Sequence, residues 1–150
     1  MAITTNAICN SFKKELLMGD HEFQNPGGDT FKLAMYTNSA TLGASTVGYA
    51  TSNEVSSPSG YSAGGKALVN SGVKVSSGVG ITDFADLSFT GVTLTARGAL
   101  IYNTTMGGGS NTTDAVAVLD FGGDKTATAG TFTIQFPAQT STAAILRISG

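Results

Sequence analysis

Few side chains in this sequence could do chemistry, and they do not cluster. The 150 residues include one histidine, one cysteine and no tryptophan, and 12% of them are charged. His21 stands between Asp20 and Glu22, which could contribute to a metal site only if further ligands came from elsewhere. Its position just after a predicted helix favours a solvated helix C-terminus instead. We therefore expect no metal and no cofactor.

Paired carboxylates are the other possible source of reactivity. Asp83 with Asp86, and Asp120 with Asp124, have a spacing at which two side chains could share a proton or a calcium ion. The glycines between the second pair favour a turn, in which an aspartate accepts hydrogen bonds from its own backbone. Cys9 lies on an apolar helical face with no histidine nearby in sequence, which favours a buried thiol over a nucleophile. No catalytic residue is predicted.

Arg97 and Arg147 each lie within an apolar, strand-like segment. An arginine in such a segment commonly forms a buried or interfacial ion pair. The acidic partner could be Asp114, Asp120 or a residue of another chain. Both arginines are therefore predicted as possible contacts between subunits.

Glycine runs occur at residues 27–28, 64–65 and 107–109. None has the combination of a lysine and a following helix that marks a phosphate-binding loop. We predict tight turns or hinges at these positions, with residues 106–111 at an exposed hairpin tip.

Length and composition predict a single domain over residues 1–150, able to bury about 70% of the surface of its unfolded chain. An apolar content of 41% is too high for a disordered chain, and 20 glycines indicate many turns. The net charge of −2 provides no clustered basic surface for nucleic acid or anionic lipid. No apolar run approaches the ~18 residues needed to span a bilayer, and the N-terminus lacks the pattern of a secretory signal. We expect synthesis in a cytoplasm, with no nucleic-acid or membrane partner.

One amphipathic helix is predicted near the N-terminus, over about residues 6–18. Ile8, Phe12 and Leu16 recur every four residues, Asn6 is placed to cap the helix, and Gly19 is placed to end it. The apolar face, including Cys9 and Leu17, would pack on a sheet or on a neighbouring subunit.

The remainder, about residues 30–150, has the pattern of β structure. Residues 31–37 alternate as a half-buried strand should, and residues 38–65 form a long polar loop of the kind that often carries contacts. Further strands are predicted at residues 66–70, 73–75, 80–84, 87–89, 92–94, 96–103, 115–121, 131–136 and 143–148. Short strands in this number predict a mainly β fold: an antiparallel β-sandwich or a jelly-roll-like barrel with a short N-terminal helix.

Seven sequence blocks follow one another in a fixed order. They are LAMYTNSATLG (33–43), NEV (53–55), GYSAGG (60–65), FADLSF (84–89), TARGALIYN (95–103), LDFGGDK (119–125) and GTFTIQFP (130–137). As an ordered set covering about residues 8–148, they resemble a family of small virion proteins of tailed bacteriophages. The sequence departs from that family at Leu87-Ser88, where the family has tryptophan and serine. The resemblance implies a structural part of the phage particle and carries over no site residues.

The expected function is therefore that of a virion structural protein. We expect a capsid decoration or cement protein, a homo-oligomer that bridges subunits of the major capsid protein. A tail, collar or fibre-attachment component is the nearest alternative. A glycan-binding module, which would use the four tyrosines as exposed platforms, and a hydrolase using an aspartate pair belong to other classes. The residues predicted to contact other subunits or partners are Ile8, Phe12, Leu16, Arg97, Arg147, Tyr49 and Tyr61.

Overall fold

A computed structural model describes residues 3–56, 60–105 and 112–150. Within these ranges the chain forms one helix and eight strands, arranged in two antiparallel sheets. The elements are β1 (Ala7–Ile8), α1 (Asn10–Met18), β2 (Phe31–Tyr36), β3 (Lys66–Ala67), β4 (Asn70–Ser76), β5 (Val79–Phe84), β6 (Leu87–Asn103), β7 (Asp114–Ile134) and β8 (Leu146–Ile148).

The larger sheet has the order β1-β7-β6-β2-β3, and the smaller sheet has the order β4-β5-β8. The predicted mainly β, sandwich-like fold is confirmed. The barrel alternative does not apply, because the two sheets stay separate and each keeps open edges. The predicted hairpin tip at residues 106–111 lies outside the described residues.

The long antiparallel pair of β6 and β7 forms the centre of the larger sheet. Segments that the sequence predicts as separate strands are continuous here: three of them join in β6 and two in β7. The intervening turn-forming residues, including Gly91 and Gly122, lie where the register shifts. A bulge of this kind absorbs extra residues while the strand pairing continues on both sides. Local composition predicts turns at these positions, but the strand pairing keeps the chain extended through them.

The helix begins later than predicted. Ala7–Ile8 forms a strand that pairs with β7, and the Oδ1 of Asn6 accepts a hydrogen bond from the amide of Asp120 at 2.7 Å. The prediction that Asn6 caps the helix is therefore wrong, because the edge of the larger sheet binds this segment first. Cys9 takes the N-cap position and contributes no side-chain cap.

The end of the helix is as predicted. Gly19 has a φ of 84°, and its N–H donates to the carbonyl of Leu16. Glycine adopts this left-handed conformation without the steric penalty that a Cβ brings. Phe12 packs into the core, whereas Leu17 is 90% exposed, so the expectation that Leu17 packs on the sheet of the same chain is wrong.

A line of aromatic rings joins the helix to both sheets. Phe23 lies 5.9 Å from the ring of Phe12 on α1 and stacks at 4.5 Å on Phe31 of β2. Phe31 in turn lies 5.7 Å from Phe84, the last residue of β5. Each buried phenylalanine contributes about 2 kcal/mol through removal of its surface from water. The smaller sheet is thus anchored to the core at the Phe84 end of β5.

Within residues 38–56 and 60–65 there is no named strand, as predicted for this long loop, yet the loop is tightly bound to β2. The amide of Val55 donates to the carbonyl of Met35, and the amide of Met35 donates to the hydroxyl of Tyr61. An isolated antiparallel β-bridge also pairs Tyr36 with Glu54. The predicted strand at residues 31–37 is present, but nearly all of it is buried rather than half.

Candidate functional site

The side chains predicted to contact a partner lie in three separate places. One group lines a groove between α1 and the smaller sheet, a second group binds a single carboxylate in the long loop, and one residue pairs with an aspartate. In that order they are Ile8, Phe12 and Leu16; Tyr49 and Tyr61; and Arg97. Arg147 borders the groove from β8, but its side chain lies on the other face of the smaller sheet. Their contact with another chain stays a prediction.

The groove between α1 and the smaller sheet has a volume of about 690 Å³ and is mostly apolar. Its floor includes Phe12, which belongs to the core. Its rim holds four of the seven large apolar side chains that are exposed in the described part of the chain: Leu17, Val73, Val75 and Ile148. An exposed apolar cluster of this kind usually marks a surface that another molecule covers. We call it the apolar groove.

Cross-strand register places the apolar side chains of the smaller sheet on one face. Val73 and Val75 lie opposite Thr82 and Gly80, which lie opposite Leu146 and Ile148. Residues that are directly opposite in a sheet point to the same side of it. Because Gly80 has no side chain, this face has a notch between its two outer strands.

The opposite face of the smaller sheet is basic. Lys74, Ile81 and Arg147 are cross-strand neighbours, so their side chains share that face. Ile81 is buried, while Lys74 and Arg147 are exposed. Within the described residues, neither cation has a carboxylate oxygen within 4.0 Å. Arg147 donates only to the carbonyl of Thr142, at 3.0 Å.

Only part of this surface is predictable from the sequence. Ile8, Phe12 and Leu16 are found through their helical spacing, although Ile8 reaches the groove from a strand. The rim residues Val73 and Val75 were predicted only as part of a short strand. Their alternation with Lys74 was the available signal, since it gives a strand one apolar and one charged face.

Glu54 is the centre of a second cluster, in the long loop. Its two carboxylate oxygens accept hydrogen bonds from the hydroxyls of Tyr49, at 2.7 Å, and Tyr61, at 2.6 Å, and from the amide of Gly64, at 2.7 Å. Tyr102 donates to the carbonyl of Gly64 at 2.6 Å. These bonds connect three parts of the loop to the larger sheet.

The tyrosines of this cluster point inward. Tyr36, Tyr61 and Tyr102 are buried, and Tyr49 is half-buried, with its ring stacked on that of Tyr102 at 4.6 Å. Burial raises the pKa of Tyr102 to about 12. Burial, together with the hydrogen bond to Glu54, raises the pKa of Tyr61 further. The glycan-binding alternative would require exposed tyrosine rings, whereas three of the four rings are buried and their hydroxyls reach acceptors that the folded loop provides.

Arg97 forms an ion pair within its own chain. Its guanidinium lies 3.3 Å from a carboxylate oxygen of Asp120, across the β6–β7 ladder, and both side chains are partly exposed. Asp120 is thus the acidic partner of Arg97, but the pair is partly exposed rather than buried, and a contact of Arg97 with another subunit stays a prediction.

His21 is buried, so the expectation of a solvated histidine is wrong. Its Nε2 lies 2.8 Å from a carboxylate oxygen of Glu15, and its Nδ1 lies 3.0 Å from the side-chain amide nitrogen, Nδ2, of Asn103. Because the Asn103 amide group donates to Nδ1, Nε2 is the atom that donates to Glu15. The turn at Gly19 folds the histidine ring back to 4.8 Å from that of Phe12. Both polar edges of the ring are used to hold the helix end against β6.

The aspartates Asp83 and Asp120 bond to nearby backbone amides, and the thiol of Cys9 is buried. Asp120 accepts a hydrogen bond from the backbone amide of Gly122 at 2.9 Å, so the predicted bond between the aspartate and its own backbone is present, but within a bulge of β7 rather than in a turn between strands. Asp83 accepts from the amide of Phe84 at 2.8 Å, and burial raises the pKa of its carboxyl. Cys9 is buried as predicted, and this burial raises its pKa to about 11.

In the described ranges, no group of three or more histidine, cysteine, aspartate or glutamate side chains is placed to hold a metal ion. The helix found there is too short to cross a membrane.

No family model, curated protein or solved structure matches this chain. The resemblance to phage virion proteins therefore stays a prediction that rests on the ordered sequence blocks.

Proposed function

We propose that this protein is a structural subunit of a tailed-bacteriophage particle, and that it decorates and stabilises the capsid. The ordered sequence blocks supply the class of protein. The single observation that supports an assembly role is the apolar groove, whose rim exposes Leu17, Val73, Val75 and Ile148. A folded chain that leaves such a rim uncovered gains apolar burial when a neighbour binds there.

The mechanism is linkage between binding and assembly. A protein that binds the assembled shell, but not the dissociated capsid subunits, shifts the equilibrium toward the shell by mass action. The β-sandwich suits this role because its core is already formed before binding. Little ordering entropy then opposes each new contact.

A glycan-binding role receives less support from the geometry. Such a module would present aromatic rings beside polar groups, and the rings of Tyr36, Tyr61 and Tyr102 are buried. The tail or collar alternative uses the same apolar groove and differs in the number of copies per particle.

The test is the copy number of this chain in purified particles, measured by quantitative mass spectrometry against the major capsid protein. Hundreds of copies are expected for a decoration protein. About 5 to 20 copies would place the protein in a ring or at a symmetry axis instead. Absence of the chain from purified particles would refute the proposal.

A further inference from the structure

The smaller sheet has a free edge at β4. Among the described residues this strand pairs only with β5, and it is the first strand in the order β4-β5-β8. An edge strand presents unpaired N–H and C=O groups that can bind a further strand. Val73 and Val75 on this edge are also 59% and 76% exposed.

The hairpin geometry identifies which backbone groups are free. β4 and β5 are joined by Ser77 and Gly78, with φ values of 50° and 78°, as in a two-residue type I′ turn. In such a hairpin the residues flanking the turn, Ser76 and Val79, exchange hydrogen bonds, and the pattern alternates along the strand. The N–H and C=O groups of Val73 and Val75 therefore point away from β5, toward the free edge.

The side chains beside this edge differ between the two faces. On one face, Val73 and Val75 continue into the apolar groove, which Leu17 borders from the helix. On the other face, Lys74 is exposed and has no acidic partner in the described part of the chain. A strand added beside β4 would thus meet apolar groups on one side and a positive charge on the other.

We propose that this edge binds an extended segment of another virion protein, in which apolar and acidic residues alternate, as an additional strand beside β4. The proposal deepens the assembly role proposed above for the apolar groove and rests on it. The apolar residues of the added segment would lie against Val73 and Val75, and its acidic residues would lie beside Lys74. Main-chain hydrogen bonds to the free edge supply binding energy, and the two faces supply selectivity.

A second copy of this chain is a poorer occupant. Symmetric pairing of two copies through β4 brings both Lys74 side chains to the same face of the joint sheet. Like charges on one face of paired strands are destabilising. The positive charge therefore favours an acidic partner over self-association.

The experiment uses the purified protein and a labelled synthetic peptide of alternating valine and glutamate. The peptide has blocked ends and about six residues, the common length of a strand. Binding is followed by fluorescence anisotropy at low ionic strength. We expect saturable binding that weakens as salt is added, because salt screens the contact with Lys74.

Two kinds of control peptide separate the parts of the contact. A valine–lysine peptide of the same length should bind at least about tenfold more weakly, since it places like charges together. Two further valine–glutamate peptides carry N-methyl groups on alternate amides, one on the valine amides and the other on the glutamate amides. The peptide whose methyl groups block the N–H donors that face β4 should not bind. Equal binding of the lysine peptide, or of both methylated peptides, would overturn the proposal.

Matched variants locate the contact on the protein. Lys74→Glu should weaken binding of the valine–glutamate peptide by about tenfold. Lys14→Glu, which makes the same charge change on the helix outside the groove, should leave it unchanged. Val75→Thr should also weaken binding, while the equally exposed Val47→Thr in the long loop should not. Thermal unfolding of each variant checks that it is folded.

Two further outcomes would overturn the proposal. One is no binding at about 1 mM peptide, where a strand contact worth ~4 kcal/mol would be half-saturated. The other is dimerisation through β4, detected by sedimentation and abolished by Val75→Thr, because it would identify a second copy as the occupant. These measurements use purified protein, so their failure is distinct from absence of the chain from particles, which refutes the proposed function itself.

Discussion

Glu54 shows how one charged residue can organise a long polar segment. Both of its carboxylate oxygens are occupied by donors from Tyr49, Tyr61 and Gly64. Hydrogen bonds to a charged acceptor contribute more than neutral ones, and donors left without their acceptor in a buried site are costly. The Glu54 side chain therefore links three parts of the long loop, whose described residues form no named strand.

Glu54→Ala should lower the free energy of unfolding by about 3 kcal/mol, because two hydroxyls and an amide lose their acceptor. Chemical denaturation measures this change. Glu22→Ala, at an exposed glutamate, serves as the control and should change stability by less than about 0.5 kcal/mol. Equal effects of the two substitutions would contradict the role assigned to Glu54.

Gly65 meets a steric limit of a different kind. It has a φ of 77°, and a Cβ placed on it would lie 1.8 Å from the carbonyl oxygen of Leu33. Neither the backbone conformation nor the space accommodates a side chain.

We expect Gly65→Ala to destabilise the protein by about 3 kcal/mol or more, through displacement of the loop end from β2. Gly43→Ala is the matched control, since Gly43 has no positive φ and no atom within 4 Å of an added Cβ. Thermal unfolding of both variants tests the prediction. A soluble Gly65→Ala protein with unchanged melting temperature would show that the approach to Leu33 can relax.

At the scale of elements, α1 combines two roles on adjacent turns. Phe12 is 2% exposed and belongs to the core, while Leu17 is 90% exposed on the rim of the apolar groove. A charge at Phe12 would therefore unfold the chain instead of testing assembly. The exposed end of the helix provides the cleaner test.

Leu17→Asp should leave the folded domain intact and reduce the number of copies in purified particles, because it places a charge on the rim of the groove. Met18→Asp is the control: Met18 is 62% exposed, and its side chain does not line the groove. Both substitutions put a negative charge near the helix C-terminus, where it costs about 0.5 kcal/mol in either variant. Equal incorporation of the two variants would exclude this rim from assembly.

At the scale of the whole molecule, stability should depend on pH through the buried tyrosines. Burial raises the pKa values of Tyr36, Tyr61 and Tyr102 above the 10.0 of an exposed tyrosine, and that of Tyr102 reaches about 12. The unfolded chain therefore releases these protons at a lower pH than the folded chain does.

The free energy of unfolding should be unaffected by these groups below about pH 10 and should fall as pH rises through about 12. Denaturation curves at a series of pH values measure the loss, and tyrosinate absorbance reports the deprotonation. Tyr102→Phe should show a smaller dependence on pH. If all tyrosines of the folded protein titrated near pH 10, the cluster would not be buried in solution.

The sequence alone determined what depends on local pattern. Residue alternation and β-branched content indicated a mainly β fold. Gly19 marked the end of the helix because that position requires the left-handed backbone conformation, which glycine adopts without steric penalty. The local hydrogen bond between Asp120 and Gly122 followed from composition in the same way, although the segment is a bulge in β7. Each of these features depends on interactions within a few residues, so their signals are readable along the chain.

Tertiary structure alone decided the features that depend on distant partners. Pairing with β7 turned Ala7–Ile8 from helix into strand, and folding of the long loop around Glu54 turned the tyrosines inward. The register of three short strands gathered apolar side chains on one face of the smaller sheet and left that face uncovered. Contacts between segments far apart in the chain determine which surfaces are buried. The local sequence pattern does not predict those contacts.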